Sequence, residues 1–103
     1  MSLAPQPVVA ITGATGFVGS HTLEAALAAG HAVRALTRRD QPPQAGVTWV
    51  RGDLADRAAL GALVQGADVV IHIAGLTNTP DPAQFEAANV TGTAHVIAAM
   101  AAA

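Results

Sequence analysis

Three glycines spaced by three, Gly13, Gly16 and Gly19, could do chemistry through the side chains they lack. They follow an apolar run, Val8 to Thr12, and open a segment with helical patterning. A turn of this kind exposes backbone N–H groups at a helix N-terminus, where the helix dipole is positive. A pyrophosphate suits that position. Gly13 is expected to allow the tight turn after the strand. Gly16 omits a Cβ where a phosphate must approach the backbone, and Gly19 lets the helix pack closely on the sheet. A lone glycine triplet is a weak signal, and a glycine-rich turn with no ligand is the plain alternative. The strand before it and the helix after it are the context that supports the phosphate reading.

The second informative stretch is Leu36-Thr37-Arg38-Arg39-Asp40. In a dinucleotide-binding fold an acidic residue ending the second strand takes the ribose hydroxyls of NAD, whereas an arginine suits the 2′-phosphate of NADP. Guanidinium forks match phosphate geometry. NADP is therefore favoured over NAD, with Arg38 the first candidate and Arg39 the second. Two solvated surface arginines are the alternative, and Asp40, two places late for the acidic role, keeps NAD open.

Other residue types limit what the chain can do. It has no cysteine and no tyrosine, and its five basic residues are all arginines (Arg34, Arg38, Arg39, Arg51 and Arg57). Disulfides, thiolate metal sites, and proton transfer by a phenol or an amine are thus excluded within these residues. His21, His31 and His95 have no metal-ligand spacing. A net charge of −2 without a block of like charge gives no attraction for nucleic acid or a membrane surface. No apolar run is long enough to span a membrane. The first seven residues lack a signal-peptide pattern, so a cytoplasmic protein with a small-molecule substrate is expected, and a homodimer is allowed.

The elements that must position these groups alternate. Apolar runs predict strands at Val8–Thr12, Ala32–Thr37, Val47–Arg51 and Asp68–Ile73. Helices are predicted at Phe17–Ala29, stopped by Gly30, and from the N-cap Asp56 to Val64, closed by Gly66. A last helix is predicted from Ala83 to the chain end. The first and fourth strands are apolar nearly throughout, as strands covered on both faces are. With right-handed crossovers the α/β order gives a Rossmann-type, doubly wound parallel sheet with strand order 3-2-1-4. The fourth strand would then be an apolar edge, and the last helix has no stop signal. Both features predict a fragment of a larger domain.

Ligands of such sheets bind at the carboxyl edge. Ile73, Ala74 and Gly75 reach that edge, and their small side chains would let a nicotinamide ribose approach. Thr77, in the loop beyond, has a capping role or touches substrate. His72 points opposite to Ile71 and Ile73 and reads as a packed histidine, with a proton carrier the alternative. Phe85, Asn89, Gly92 and Val96 recur on one helical face. Asn89 there needs a polar partner, either the cofactor, the loop after strand 4, or backbone alone.

Four segments carry a family resemblance. Thr12-Gly13-Ala14-Thr15-Gly16-Phe17-Val18-Gly19 resembles the T-G-A-T-G-F-[IV]-G turn of the extended short-chain dehydrogenases/reductases, the NAD-dependent epimerase/dehydratase group. Gly52-Asp53-Leu54 resembles that family's G-D-[LIV] turn. His72-Ile73-Ala74-Gly75 resembles its H-x-A-[AG] strand end, and Asn89-Val90-Thr91-Gly92-Thr93 its N-V-x-G-T helix motif. The resemblance spans nearly the whole chain in the right order. It implies an N-terminal NAD(P)-binding half-domain over residues 1–103. Its cofactor contacts would be Gly13, Thr15, Gly16, Phe17, Val18, Arg38, Asp53, Leu54, Ile73, Ala74, Gly75 and Asn89. Asp53 would accept a hydrogen bond from the adenine amino group beside the Leu54 backbone; a plain turn or capping aspartate is the alternative.

The family's acid/base pair, Tyr-x-x-x-Lys, has no counterpart in these residues. The expected function is the cofactor-binding portion of an oxidoreductase, epimerase or dehydratase acting on a nucleotide-sugar or another hydroxyl or carbonyl compound. The alternatives are a non-catalytic NADP-binding regulator or redox sensor, and a scaffold without a ligand.

Overall fold

A computed structural model describes residues 7–73, 83 and 87–102. The elements are β1 (Val8–Thr12), α1 (Phe17–Ala28), β2 (Ala32–Thr37), β3 (Val47–Arg51), α2 (Arg57–Val64), β4 (Val69–His72) and α3 (Gly92–Ala102). A π-helical turn, Ala87–Thr91, leads into α3. The four strands form one parallel sheet in the order β3-β2-β1-β4, the predicted order. Register is set by pairs such as Val9 with Val33, Ile11 with Ile71, and Thr37 with Arg51.

The uninterrupted apolar character of β1 follows from the helices covering both faces. Val9 and Ile11 join Ala14, Leu23, Ala26, Val33 and Ala35 beneath α1. Ala10, one residue out of phase, joins Leu36, Leu60, Leu63, Val64 and Val96 beneath α2 and α3. A strand buried on both sides has no polar phase, because successive side chains enter opposite cores. Burial of Ile11, Leu60, Leu63 and Val33, the largest fully buried apolar side chains, stabilises the fold by roughly 1.5–3 kcal/mol each.

Local signals fix the helix ends. The Asp56 carboxylate accepts from the Ala59 N–H at 3.0 Å, capping α2. After α1, Gly30 adopts φ 88°, its N–H bonds to Leu27 O, and His31 N–H bonds to Ala26 O. The buried stripe of α1 is Gly19, Leu23 and Ala26.

Some boundaries differ from the sequence reading: α1 ends at Ala28, with Ala29 as its C-cap, and β4 ends at His72 rather than Ile73. Strand β4 begins one residue later than Asp68, because the Asp68 carboxylate accepts from the Val8 N–H at 2.7 Å and clamps the start of β1. The last helix is not uniform: the turn Ala87–Thr91 is wound more loosely than an α-helix and shifts the phase of the residues before Gly92. Gly92 and Val96 are buried as expected, whereas Asn89 is half-buried; Phe85 lies outside the described residues.

Candidate dinucleotide site at the carboxyl edge of the sheet

Because all four strands are parallel, the residues that follow each of them emerge at one edge. Gly13 follows β1, Arg38 follows β2, Gly52 and Asp53 follow β3, and Ile73 follows β4. Ala74 and Gly75, also expected at the site, and Thr77 lie outside the described residues.

The glycine turn separates three roles. Gly13 sits at φ 80°, a left-handed conformation that a side chain disfavours. A Cβ on Gly19 would lie 1.7 Å from Gly13 O and 2.8 Å from Ala14 Cα. The helix therefore packs against the turn itself, more intimately than the sheet contact expected from the sequence. Gly16 is different. Its φ of −81° and ψ of 179° suit any residue, and an added Cβ would meet only Gly13 O at 3.5 Å, ordinary contact. Among the described residues nothing requires a glycine there, so the space it leaves on the exposed side fits an approaching ligand.

The start of α1 is electrostatically open. Gly16 is its N-cap without a side-chain cap, and the first turn holds no acidic residue. The side chains of Ser20 and His21 bond back to Phe17 O, at 3.0 and 2.8 Å, and Thr22 Oγ1 donates to Val18 O at 2.9 Å. These bonds engage carbonyls and leave the amide-bearing end to an anion. Thr15 and Gly16 are exposed, and Phe17 and Val18 are 81% and 59% exposed although apolar. The Phe17 ring leans on His21, with centroids 4.8 Å apart. The donors suit a pyrophosphate, which the first turn would hold through its backbone.

At the end of β2, Thr37 is buried and organises the chain that follows. Its Oγ1 donates to Arg39 O at 2.7 Å and accepts from Arg39 N at 3.2 Å. Arg38 and Arg39 are both exposed at this edge. Asp40, which kept the NAD reading open, is ion-paired with Arg51. Arg51 ends β3 opposite Thr37, and its Nε donates to Arg38 O at 2.9 Å. The sequence reading missed Arg51 because nothing within its own strand marks it; the pairing register with β2 brings it into the patch.

Beyond β3 the Asp53 carboxylate accepts from the Ala55 N–H at 2.8 Å, an Asx turn, so one of its oxygens has the structural role named as the alternative. Leu54 is half-buried against the α2–α3 core. Its carbonyl accepts from His95 Nδ1 at 2.7 Å, which ties the turn to α3. His95 had been only one of several scattered histidines.

The ends of β1 and β4 are joined to the last helix through His72. His72 Nδ1 lies 2.5 Å from Thr12 Oγ1, and Nε2 lies 2.9 Å from Thr93 Oγ1. Thr93 donates to Asn89 O at 2.9 Å, so its hydroxyl oxygen accepts from Nε2–H; in the neutral ring Nδ1 would then accept from the Thr12 hydroxyl. Burial lowers the His72 pKa below its ordinary value, in the same direction. Thr12 Oγ1 also accepts from the Ile73 N–H at 3.2 Å. His72 is thus the packed histidine expected, and it connects the Asn89 backbone to the strand that feeds the glycine turn.

Among the described residues, no group of three or more His, Cys, Asp or Glu could hold a metal ion, and no helix is long and apolar enough to cross a membrane.

Comparison with known proteins agrees with this geometry. Residues 9–103 match the model of the NAD dependent epimerase/dehydratase family. The chain is 41% identical over 96 residues to a ceramide reductase of Caulobacter vibrioides, covering 89% of this chain and 30% of that one. It is 36% identical over 101 residues to a dTDP-glucose 4,6-dehydratase of Streptomyces antibioticus, with 81% and 30% covered. A crystal structure of uronate dehydrogenase from Agrobacterium tumefaciens complexed with NAD superposes with a TM-score of 0.79 at 26% identity, over 95% of this chain and 37% of that one. The chain spans about a third of the length of these proteins. By this match and by its fold, the chain belongs to the NAD dependent epimerase/dehydratase family.

Proposed function

We propose that this chain is the cofactor-binding half of an NAD(P)-dependent oxidoreductase, epimerase or dehydratase, and that it takes NADP in preference to NAD. The observation that carries the dinucleotide reading is Gly16: a glycine that neither its backbone conformation nor packing among the described residues requires, at the uncapped start of α1. The N–H groups of the turn from Gly13 through Thr15 to Val18, apart from the Gly16 N–H that bonds Gly13 O at 3.2 Å, hold the pyrophosphate. Arg38 holds the 2′-phosphate, with Arg39 beside it. Asp53 and the Leu54 backbone take the adenine. Ile73, Ala74 and Gly75 adjoin the nicotinamide ribose, and Asn89 orders the nearby loop or touches the cofactor.

NADP is favoured by the state of Asp40. In the free protein the Asp40 carboxylate is engaged by Arg51, so ribose hydroxyls would have to compete with that exposed pair, while two arginines stand exposed at the same strand end. When bound, the nicotinamide accepts or donates a hydride. This chain's share of the work is to orient that ring and exclude water beneath it. Proton transfer belongs to the Tyr-x-x-x-Lys pair of the family, because these residues include neither type. The substrate class is a small molecule with a hydroxyl or carbonyl carbon, nucleotide-sugars included. A cytoplasmic homodimer completes the proposal, and light scattering reads the second part.

Titration calorimetry with NADP and NAD tests the reading. NADP binds more tightly, Gly16→Val abolishes binding of both, and Arg38→Ala removes the preference. Equal affinities, unmoved by Arg38→Ala, refute the phosphate role; retained affinity in Gly16→Val refutes the loop assignment.

A further inference from the structure

The patch at the ends of β2 and β3 holds more charge than one phosphate ligand needs. Arg38, Arg39 and Arg51 meet there, with Asp40 as the carboxylate among them. Strand register and side-chain bonds fix how they meet. Thr37 pairs with Arg51 across the strands. Arg51 Nε donates to Arg38 O at 2.9 Å, which lays the guanidinium along the backbone of the residue assigned to the 2′-phosphate. The Thr37 hydroxyl folds residues 38–41 back over the strand end, with Gln41 Nε2 at 3.4 Å, so Asp40 returns to Arg51.

We propose that Arg51 is a second specificity-determining guanidinium for the 2′-phosphate and that Asp40 is its resident counter-ion, displaced when the phosphate binds. The proposal rests on the NADP reading above. Its physical basis is the contrast within Arg51. The Nε is anchored to the main chain, so the planar group is already oriented. The outer nitrogen is paired with a side chain that is 97% exposed, while Arg51 itself is 59% exposed. Exposed ion pairs are weak and exchange partners readily. A dianionic phosphate offers the same nitrogen a stronger charge-assisted bond than Asp40 does, and a guanidinium fork suits it. Asp40 in turn screens the patch while it is empty, and its removal should favour the phosphate. A cofactor without the 2′-phosphate gains nothing from displacing Asp40, so the pair separates the two dinucleotides from both directions.

The test is the Kd of NADP and of NAD for the wild-type protein and for Arg51→Ala, Arg51→Lys, Asp40→Asn and Arg38→Ala, read by calorimetry at low and moderate salt. Arg51→Ala should weaken NADP by about tenfold, the scale of one charge-assisted bond, with NAD unchanged within twofold. Arg51→Lys should recover part of the loss. Asp40→Asn should tighten NADP severalfold and leave NAD where it was. A salt dependence shallower in Arg51→Ala than in wild type, for NADP alone, completes the expected pattern. If Arg51→Ala lowers the melting temperature but leaves the NADP-to-NAD ratio intact, Arg51 is only a clamp between strand ends and the inference is wrong. If Asp40→Asn leaves NADP affinity unchanged, the counter-ion role is wrong. In both cases Arg38→Ala still abolishes the preference. If the wild-type protein shows no preference and Arg38→Ala changes nothing, the underlying NADP reading has failed and this inference falls with it.

Discussion

Replacing Gly19 and Gly16 separately by alanine should split folding from binding. In Gly19→Ala the new methyl would lie 1.7 Å from Gly13 O, 2.5 Å from Gly13 C and 2.8 Å from Ala14 Cα. All three are backbone atoms, so no side-chain rotation relieves the clash. Helix α1 and the turn must separate by about 1.7 Å to restore ordinary contact, and Leu23 and Ala26 shift with the helix. Overpacking of this kind costs about 1–3 kcal/mol, and the rigid neighbours place Gly19→Ala at the upper end. For a domain near this size, 1 kcal/mol corresponds to about 4–8 °C, so the Tm should fall by more than ~10 °C. In Gly16→Ala the new methyl meets, among the described residues, only Gly13 O at 3.5 Å, in a conformation alanine adopts freely. The gain from a stiffer unfolded chain, about 0.4–1 kcal/mol, and the loss of a glycine N-cap nearly cancel. Its Tm should stay within about 4 °C of wild type. Its NADP affinity should nevertheless fall by at least ~10-fold, because the methyl stands where the phosphate must approach. Thermal melts followed by circular dichroism and NADP titrations read both quantities. A Gly19→Ala protein that melts like wild type would overturn the helix–turn contact. A Gly16→Ala protein with unchanged Tm and unchanged affinity would overturn the assignment of that space to a ligand.

Three further outcomes are expected. Arg34 Nη1 donates to the carbonyls of Ala62 and Leu63, both at 3.4 Å, and to Gln65 O, at the C-terminus of α2. Arg34→Met should lose about 1–2 kcal/mol in urea unfolding, from charged hydrogen bonds and the helix dipole, with cofactor Kd unaltered. Asp56→Ala removes the α2 cap and should cost about 1 kcal/mol by the same measurement, with the denaturant slope preserved. His72 has a lowered pKa in the folded state, so the unfolded chain binds its proton first as pH falls. The stability His72 contributes is complete above its ordinary value of about 6.5 and declines as pH drops from there toward the folded pKa. Urea unfolding at pH 7.5 and 5.5 should show this decline, and His72→Gln should flatten it; an identical decline in the variant would refute the buried neutral bridge.

Most of the framework was legible from local pattern. β1 and the middle of β4 are apolar because both faces are covered, and that continuity identifies a parallel sheet before any pairing is known. Asp56, Gly30 and Gly66 end helices by chemistry confined to a few neighbours. The order 3-2-1-4 followed from handedness and the alternation of elements. What escaped is what joins distant residues. The Arg51–Asp40 pair depends on the β2–β3 register, the Arg34 cap on α2 lying beside β2, and the His95–Leu54 bond on α3 crossing the α2 face. The π-helical turn escaped for another reason: Ala87 to Thr91 has unremarkable helical composition, and the extra residue in the turn leaves no mark in a 3.6-residue pattern. In the candidate site, the glycines were legible individually, but the division of labour between Gly16 and Gly19 needed the distance from each to Gly13 O.

The all-parallel sheet has a consequence for how this protein can change. Every strand delivers its last residue to the edge that carries Gly13, Arg38, Asp53 and Ile73, and α1 and α2 return the chain to the opposite edge. The connections Ala29–His31 and Gln65–Asp68 therefore face away from the proposed dinucleotide site. Evolution can lengthen, shorten or decorate those returns while ligand recognition stays fixed, or rewrite the loops after the strands while the scaffold stays fixed. Solubility tags, fluorophores and fused modules belong on the first edge of that division, and changes of cofactor or substrate on the second.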